Sequence, residues 1–262
     1  MNFKDKYILI TGATAGIGKE MLNELISRGV QRIAVIARSE DKLRNLKSEY
    51  PNIDILPLAC DVSKPGDLDK AIQTLKSTWG QLDILINNAG VVSAGALEDL
   101  SDADIINQVS INLTGPILLT KKCLGLLKQS KEGAIINVSS GLGYIAWPFY
   151  NVYAATKAGI RQFSDALTRD LYAYPIHVMT IYPTATDTPM MEHAVVANMD
   201  DPKMVAKRSI DGLVNKERNV IFGGEQRLID IDLNFNDPEA IDAKAIERYE
   251  ALRERTKHHR AM

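Results

Sequence analysis

Thr11-Gly12-Ala13-Thr14-Ala15-Gly16-Ile17-Gly18 decides the fold. It follows the apolar run Tyr7-Ile8-Leu9-Ile10 and leads into a stretch of helical periodicity from Ile17 to Arg28, so its small residues fall where a strand turns into a helix. Glycine lets the chain turn tightly and lets backbone come close to a ligand, while a helix start offers unpaired N–H groups and a positive dipole end. Such a turn suits an anion, and doubly wound folds place a dinucleotide pyrophosphate there. The spacing is G-x-x-x-G-x-G rather than the commonest G-x-G-x-x-G, so the reading rests on position as much as on motif.

Outward from that turn, strand and helix alternate. Strand-length apolar runs cover Tyr7 to Thr11, Arg32 to Ala37, Ile53 to Cys60, Leu82 to Asn87, Ala134 to Ser139 and Ile176 to Tyr182. Helical periodicity covers Ile17 to Arg28, Asp41 to Tyr50, Asp67 to Trp79, Asp102 to Lys128 and Val152 to Tyr172, with Ser101 and Asp104 spaced as a capping box. Several strands are nearly all apolar, as expected where helices cover both faces. Right-handed crossovers then give an α/β, doubly wound, Rossmann-like parallel sheet in a single domain spanning residues 1–262. Asn219 to Phe222 reads as a last strand, and residues 184–215 as a substrate loop or lid. A C-terminal helix is predicted over 237–260, with Asp237 as N-cap, Pro238 at the first helical position and Ile241, Ala245, Tyr249 and Leu252 on one face.

Composition narrows the function. Lys and Arg number 31 against 33 Asp and Glu, a net charge of -2 that supplies no basic field for nucleic acid or anionic lipid. The two cysteines, Cys60 and Cys123, lie in apolar segments without metal or redox spacing, and no His/Cys/Asp cluster suggests a metal. His177 reads as a packed strand histidine. No secretory leader pattern and no membrane-length apolar run is visible, so cytoplasmic residence is the expectation.

At the end of the second strand an acidic residue would accept from a ribose 2′-hydroxyl, but the position holds Ala37 and Arg38 follows. A guanidinium suits a 2′-phosphate, so NADP(H) is expected over NAD(H). The competing reading makes Arg38 a solvated charge beside Glu40 and Asp41. Further on, Tyr153 and Lys157 lie four residues apart, on one helix face. A phenol is a poor acid or base at neutral pH, and a nearby cation favours its ionised form. Ser139-Ser140-Gly141 closes a buried strand at the sheet's carboxyl edge, where a hydroxyl can donate to a developing alkoxide.

The glycine turn, Asn87-Asn88-Ala89-Gly90, the serine and the Tyr153–Lys157 pair together resemble the short-chain dehydrogenase/reductase family across most of residues 5–190. The resemblance implies an NADP-dependent oxidoreductase acting on a carbonyl or secondary alcohol. It makes Tyr153 the general acid/base and Ser140, 13 residues upstream, the hydroxyl that polarises the substrate oxygen. Lys157 is expected to lower the tyrosine pKa and hold the nicotinamide ribose, and Asn112 to anchor a relay water. Gly12, Thr14, Ala15, Gly16, Ile17 and Gly18 are expected around the pyrophosphate, Arg38, Asp61 and Val62 around the adenosine, Asn88, Ala89 and Gly90 beneath the cofactor, and Thr186 and Thr188 at the carboxamide. A homo-oligomer, dimer or tetramer, is also implied. Pro183-Thr184 replaces the family's usual Pro-Gly, which unsettles the local backbone because a β-branched residue avoids positive φ.

Leu142 to Tyr150, with Met190 and Met191, reads as an apolar pocket wall that favours a hydrophobic carbonyl over a sugar phosphate or a dicarboxylate. Two rival functions share the fold. One is a catalytically silent nucleotide-binding regulator, against which the intact Ser140, Tyr153 and Lys157 argue. The other is a sugar-nucleotide epimerase, against which the short region after Pro183 argues.

Overall fold

A computed structural model describes residues 2–261. Period-2 alternation along β1 (Tyr7–Thr11) sorts its side chains to two sides. Ile8 and Ile10 enter one apolar cluster with Met21, Leu22 and Leu25 of α1 (Gly16–Ser27). Leu9 enters a second with Leu68, Ile72 and Leu75 of α3 (Pro65–Thr78) and Leu119, Cys123 and Leu127 of α5 (Gly115–Leu127). β2 (Arg32–Ala37) divides likewise, Ile33 and Val35 facing one way, Ala34 and Ile36 the other. Two clusters on opposite faces of one sheet make the three-layer sandwich that the apolar strands predict.

Among the described residues the sheet runs β3 (Asp54–Ala59), β2, β1, β4 (Ile84–Asn87), β6 (Gly133–Val138), β7 (Ile176–Tyr182), β8 (Asn219–Ile221), every neighbouring pair parallel. β1 pairs β2 on one side and β4 on the other, so the order reverses between β1 and β4 and opens a crevice at the strands' carboxyl ends. α2 (Glu40–Glu49) packs on β2 and β3, and α6 (Asn151–Asp170) on β6 and β7. The fold is an α/β, Rossmann-like single domain.

Several expectations need correction. The helix read over Asp102 to Lys128 is α4 (Asp102–Val109) and α5 joined by one π turn, Ser110–Thr114, where the Gly115 N–H donates to the Ser110 carbonyl. Ser101 caps α4 by accepting from the Asp104 amide at 3.1 Å, but the Asp104 carboxylate points away from the reciprocal half of the box. The span 184–215 is not all loop, because α7 (Pro202–Val214) buries Val205, Ala206, Ile210 and Leu213 in the core against α1. The tail is not one helix over 237–260. It comprises α8 (Gly224–Asn236), α9 (Pro238–Glu247) and α10 (Tyr249–Thr256), then β9 (Arg260–Ala261), antiparallel to β5 (Val92–Ser93). Asp237 stands at the N-cap of α9 without a side-chain capping bond. Thr184 avoids positive φ, and its hydroxyl donates to Asp200.

Candidate active site

The crevice is a cleft of about 720 Å³. Gly12, Thr14, Ala15, Gly16, Ile17, Gly18, Arg38, Asp61, Val62, Asn88, Ala89, Gly90, Ser140, Tyr153, Lys157, Thr186 and Thr188 all border it.

The glycine turn is cut to fit its neighbours. Gly12 and Gly16 adopt φ of +72° and +57°, which L side chains rarely tolerate. A β-carbon on Gly18 would lie 2.4 Å from Asn88 Nδ2 and 2.5 Å from the Gly12 carbonyl oxygen. Asn88 faces the turn as a fastener: its Nδ2 donates to the Thr11 and Gly12 carbonyls at 2.9 and 3.2 Å, while the Asn88 and Ala89 amides donate to the Thr11 hydroxyl at 3.0 and 2.9 Å. α1 begins beyond Ala15 with no side-chain cap and no acidic residue in its first turn, leaving its N–H groups to an anion in the cleft. Thr188 closes over this turn, since a β-carbon on Gly16 would meet its Cβ and Cγ2 at 3.2 Å. At the carboxyl ends of β2 and β3, on the same edge of the sheet, Arg38 lies near Asp61. Burial raises the Asp61 carboxyl, but the Ser63 hydroxyl and amide, with Lys64 and Arg38 nearby, hold it below the usual range.

The Ser139–Ser140 doublet is resolved by geometry. Ser139 Oγ donates to the Lys157 carbonyl at 2.8 Å and is buried, whereas Ser140 accepts from the Leu142 amide at 3.2 Å and stands beside the Tyr153 phenol. Lys157, 3% exposed, donates from Nζ to the Val138 carbonyl at 3.0 Å and lies 5.5 Å from the Tyr153 ring centroid. Burial pulls its amine down to about 8. Tyr153 departs from expectation: burial pushes its phenol up to about 12, and the opposing influence is the Ser140 hydroxyl rather than Lys157. The lysine's hydrogen bond goes to Val138, while its ammonium lies over the face of the Tyr153 ring.

Asn112 lies outside the cleft wall. Sitting in the π turn, it accepts from the Val91 amide and donates to the Val91 carbonyl, both at 2.8 Å, and reaches Thr156 Oγ1 at 3.3 Å. Its side chain thereby clamps the strand-end backbone beside Gly90.

The end of the cleft away from the glycine turn contains residues that sequence reasoning missed. Trp147, Tyr150, Met190 and Met191 belong to the segments read as its wall, but Arg227, Leu252, Arg255 and His259 come from the tail. His259 is 3% exposed, with Nε2 3.0 Å from the Met190 carbonyl and Nδ1 2.8 Å from the Tyr150 hydroxyl. A carbonyl only accepts, so Nε2 carries the proton and Nδ1 accepts from Tyr150. Burial keeps this ring below its usual pKa, hence neutral. The ion pair of Arg260 with Asp104 at 2.6 Å fixes β9 to α4. The only advance sign was the apolar stripe of the tail, which said that it packs but not where.

A dinucleotide fits these residues: glycines whose side chains would collide, uncapped helix amides and a buried lysine at the inner end. Among the described residues no group of three or more His, Cys, Asp or Glu is placed to hold a metal, and no helix is long and apolar enough to cross a membrane.

The family model for short chain dehydrogenases matches residues 6–198, and the chain belongs to that family. It is 32% identical over 209 residues to an uncharacterized oxidoreductase of Thermotoga maritima, covering 79% of this chain and 82% of that one. It is 30% identical over 190 residues to the 3-oxoacyl-[acyl-carrier-protein] reductase of Salmonella typhimurium, covering 72% and 77%. Solved structures share the fold: a Burkholderia cenocepacia short chain dehydrogenase in complex with NADP (TM-score 0.82, 22% identity, 94% of this chain and 99% of that one) and a Burkholderia phymatum short chain dehydrogenase/reductase in complex with NAD (TM-score 0.82, 18% identity, 92% and 96%). The protein is an oxidoreductase of this family.

Proposed function

We propose that the protein moves a hydride between NADP(H) and the carbonyl or secondary alcohol of a small, largely apolar substrate. The observation that carries this reading is the meeting of Ser140, Tyr153 and Lys157 at the carboxyl edge of β6, on the same cleft as the glycine turn. NADP(H), when bound, supplies or takes the hydride. Tyr153, a phenol protonated at neutral pH and raised further by burial, is suited to give its proton to the substrate oxygen in the reducing direction, and Ser140 to steady that oxygen by donating to it. Lys157, with one carbonyl for three donors, has hydrogens left for ribose hydroxyls. Asn112 holds the Val91 backbone rather than a reacting atom, so its part is positioning. Arg38, with no acid at position 37, favours the 2′-phosphate. Leu142, Trp147 and the two methionines supply the apolar wall.

Screening NADPH and NADH against aldehydes, ketones and quinones tests the reading. Tyr153→Phe should lower turnover about 10²–10⁴-fold while cofactor titration is unchanged. Full turnover in that variant would refute the role.

A further inference from the structure

Past Tyr150 the cleft runs into a second hollow of about 510 Å³, and Trp147, Val196, Arg227, Leu252 and Arg255 line both. This end holds an excess of positive charge. The Arg227 guanidinium lies against Gly141, next to Ser140: a β-carbon built on that glycine would sit 3.4 Å from its Cζ and Nη2. Arg255 lies over the Tyr150 ring, 5.6 Å from its centroid, with a buried Nε that has no hydrogen-bond partner among the described residues. Arg248 adds a third cation, 5.7 Å from the Trp147 ring centroid.

Carboxylates near these arginines are already engaged. Asp230 takes Lys244 at 2.7 Å and Gln226 at 3.0 Å, and Asp200 takes the Thr184 hydroxyl. Among the described residues none of the three arginines has a carboxylate within ion-pair distance. Burial disfavours the Arg227 cation as it stands; Asp230 opposes this and Arg248 adds to it, and a half-buried cation whose nearby carboxylate is shared with Lys244 is short of counter-charge.

We propose that this end is a subsite for an oxyanion, a carboxylate or phosphate carried by the substrate, gripped by Arg227 and Arg255. It rests on the oxidoreductase reading only in calling the ligand a substrate. Guanidinium forks match planar and tetrahedral oxyanions bidentately, and the apolar wall between Ser140 and the arginines takes the carbon skeleton. The substrate class becomes an oxo acid or oxo phosphate with an apolar middle, sharpening the hydrophobic carbonyl read from Leu142 to Tyr150.

Calorimetric titration with hexanoate, hexyl phosphate and hexanamide, with NADP⁺ present, reads the subsite without turnover. At least one anion should bind about tenfold more tightly than the neutral amide, and the tighter anion identifies the group. The preference should collapse in the double variant R227Q/R255Q, whose melting temperature reports folding. If that variant does not fold, Arg255→Gln alone should reduce the preference. Equal binding of all three ligands, or a preference that survives substitution, overturns the proposal. NADPH consumption with 5-oxohexanoate and its methyl ester reads the oxidoreductase function separately. No consumption with either, beside a clear anion preference, counts against the catalytic reading while supporting the subsite.

Discussion

The two walls of the cleft are built differently. The wall around the glycine turn is made of backbone: bare glycines, helix amides, and Thr11 and Asn88 side chains that bind main-chain groups. The opposite wall is made of side chains from a tail that returns across the sheet, held by His259, by the Arg260–Asp104 pair and by a two-residue ribbon. The first has little freedom to change without collision. The second can exchange side chains without moving the sheet, so a common chemistry and an individual specificity can coexist in one chain.

Gly18→Val should break the first wall most severely. Its β-carbon would lie 2.4 Å from Asn88 Nδ2, and NADPH fluorescence titration should show a loss on the order of 100-fold or more, alongside destabilisation of about 1–3 kcal/mol. Normal affinity would mean that the turn relaxes freely. Lys157 lies where the walls meet. Its amine is held near 8 in the folded protein against an ordinary 10.5, so between those pH values the unfolded chain binds the extra proton and wild-type stability rises with pH. Urea unfolding of Lys157→Met should show a variant more stable than wild type by up to about 3 kcal/mol at pH 7, an advantage that shrinks toward pH 10; a pH-independent difference would contradict the burial account. Arg38→Ser should cut the preference for NADPH over NADH by about 10–100-fold, the worth of charge-assisted hydrogen bonds; an unchanged ratio of kcat/KM values would remove Arg38 from cofactor choice. His259→Ala acts on the second wall. It leaves the Met190 carbonyl without its donor and the Tyr150 hydroxyl without its acceptor, Arg255 remaining beside the latter, about 1–3 kcal/mol of stability, and should raise substrate KM several-fold while NADPH affinity holds. Weakened NADPH binding would show that the walls are not separable.

What the sequence revealed divides along the same line. The strands, the turn and the residues that border the cleft are legible because local patterns, apolar runs and small residues at a strand end, encode them. The π turn escapes because Ser110 to Thr114 keeps helical periodicity, and the Asn112 clamp on Val91 is a contact between distant residues. α8 escapes because Ile229, Ile231, Leu233 and Phe235 alternate with polar residues, the period of a strand and not of a helix. β5 and β9, two residues each, are too short for alternation to register. α7 is marked by Asp201, which caps it by accepting from the Lys203 amide at 2.8 Å, and by Pro202 at its first turn; Pro189 and Met190, Met191 and Met199 just upstream, with weak periodicity, mask that start. The high phenol pKa of Tyr153 was not legible either, because it depends on burial and on where Lys157 points.

The ribbon that pairs Val92 with Ala261 and Ser93 with Arg260 bears on how much of the chain the cleft requires. The two partners stand far apart in the sequence, so the end of the cleft bordered by Arg255, His259 and Ala261 exists only in a chain that has been made and folded through residue 261. Any truncation before Arg260 removes that wall while leaving the residues of the glycine turn in place.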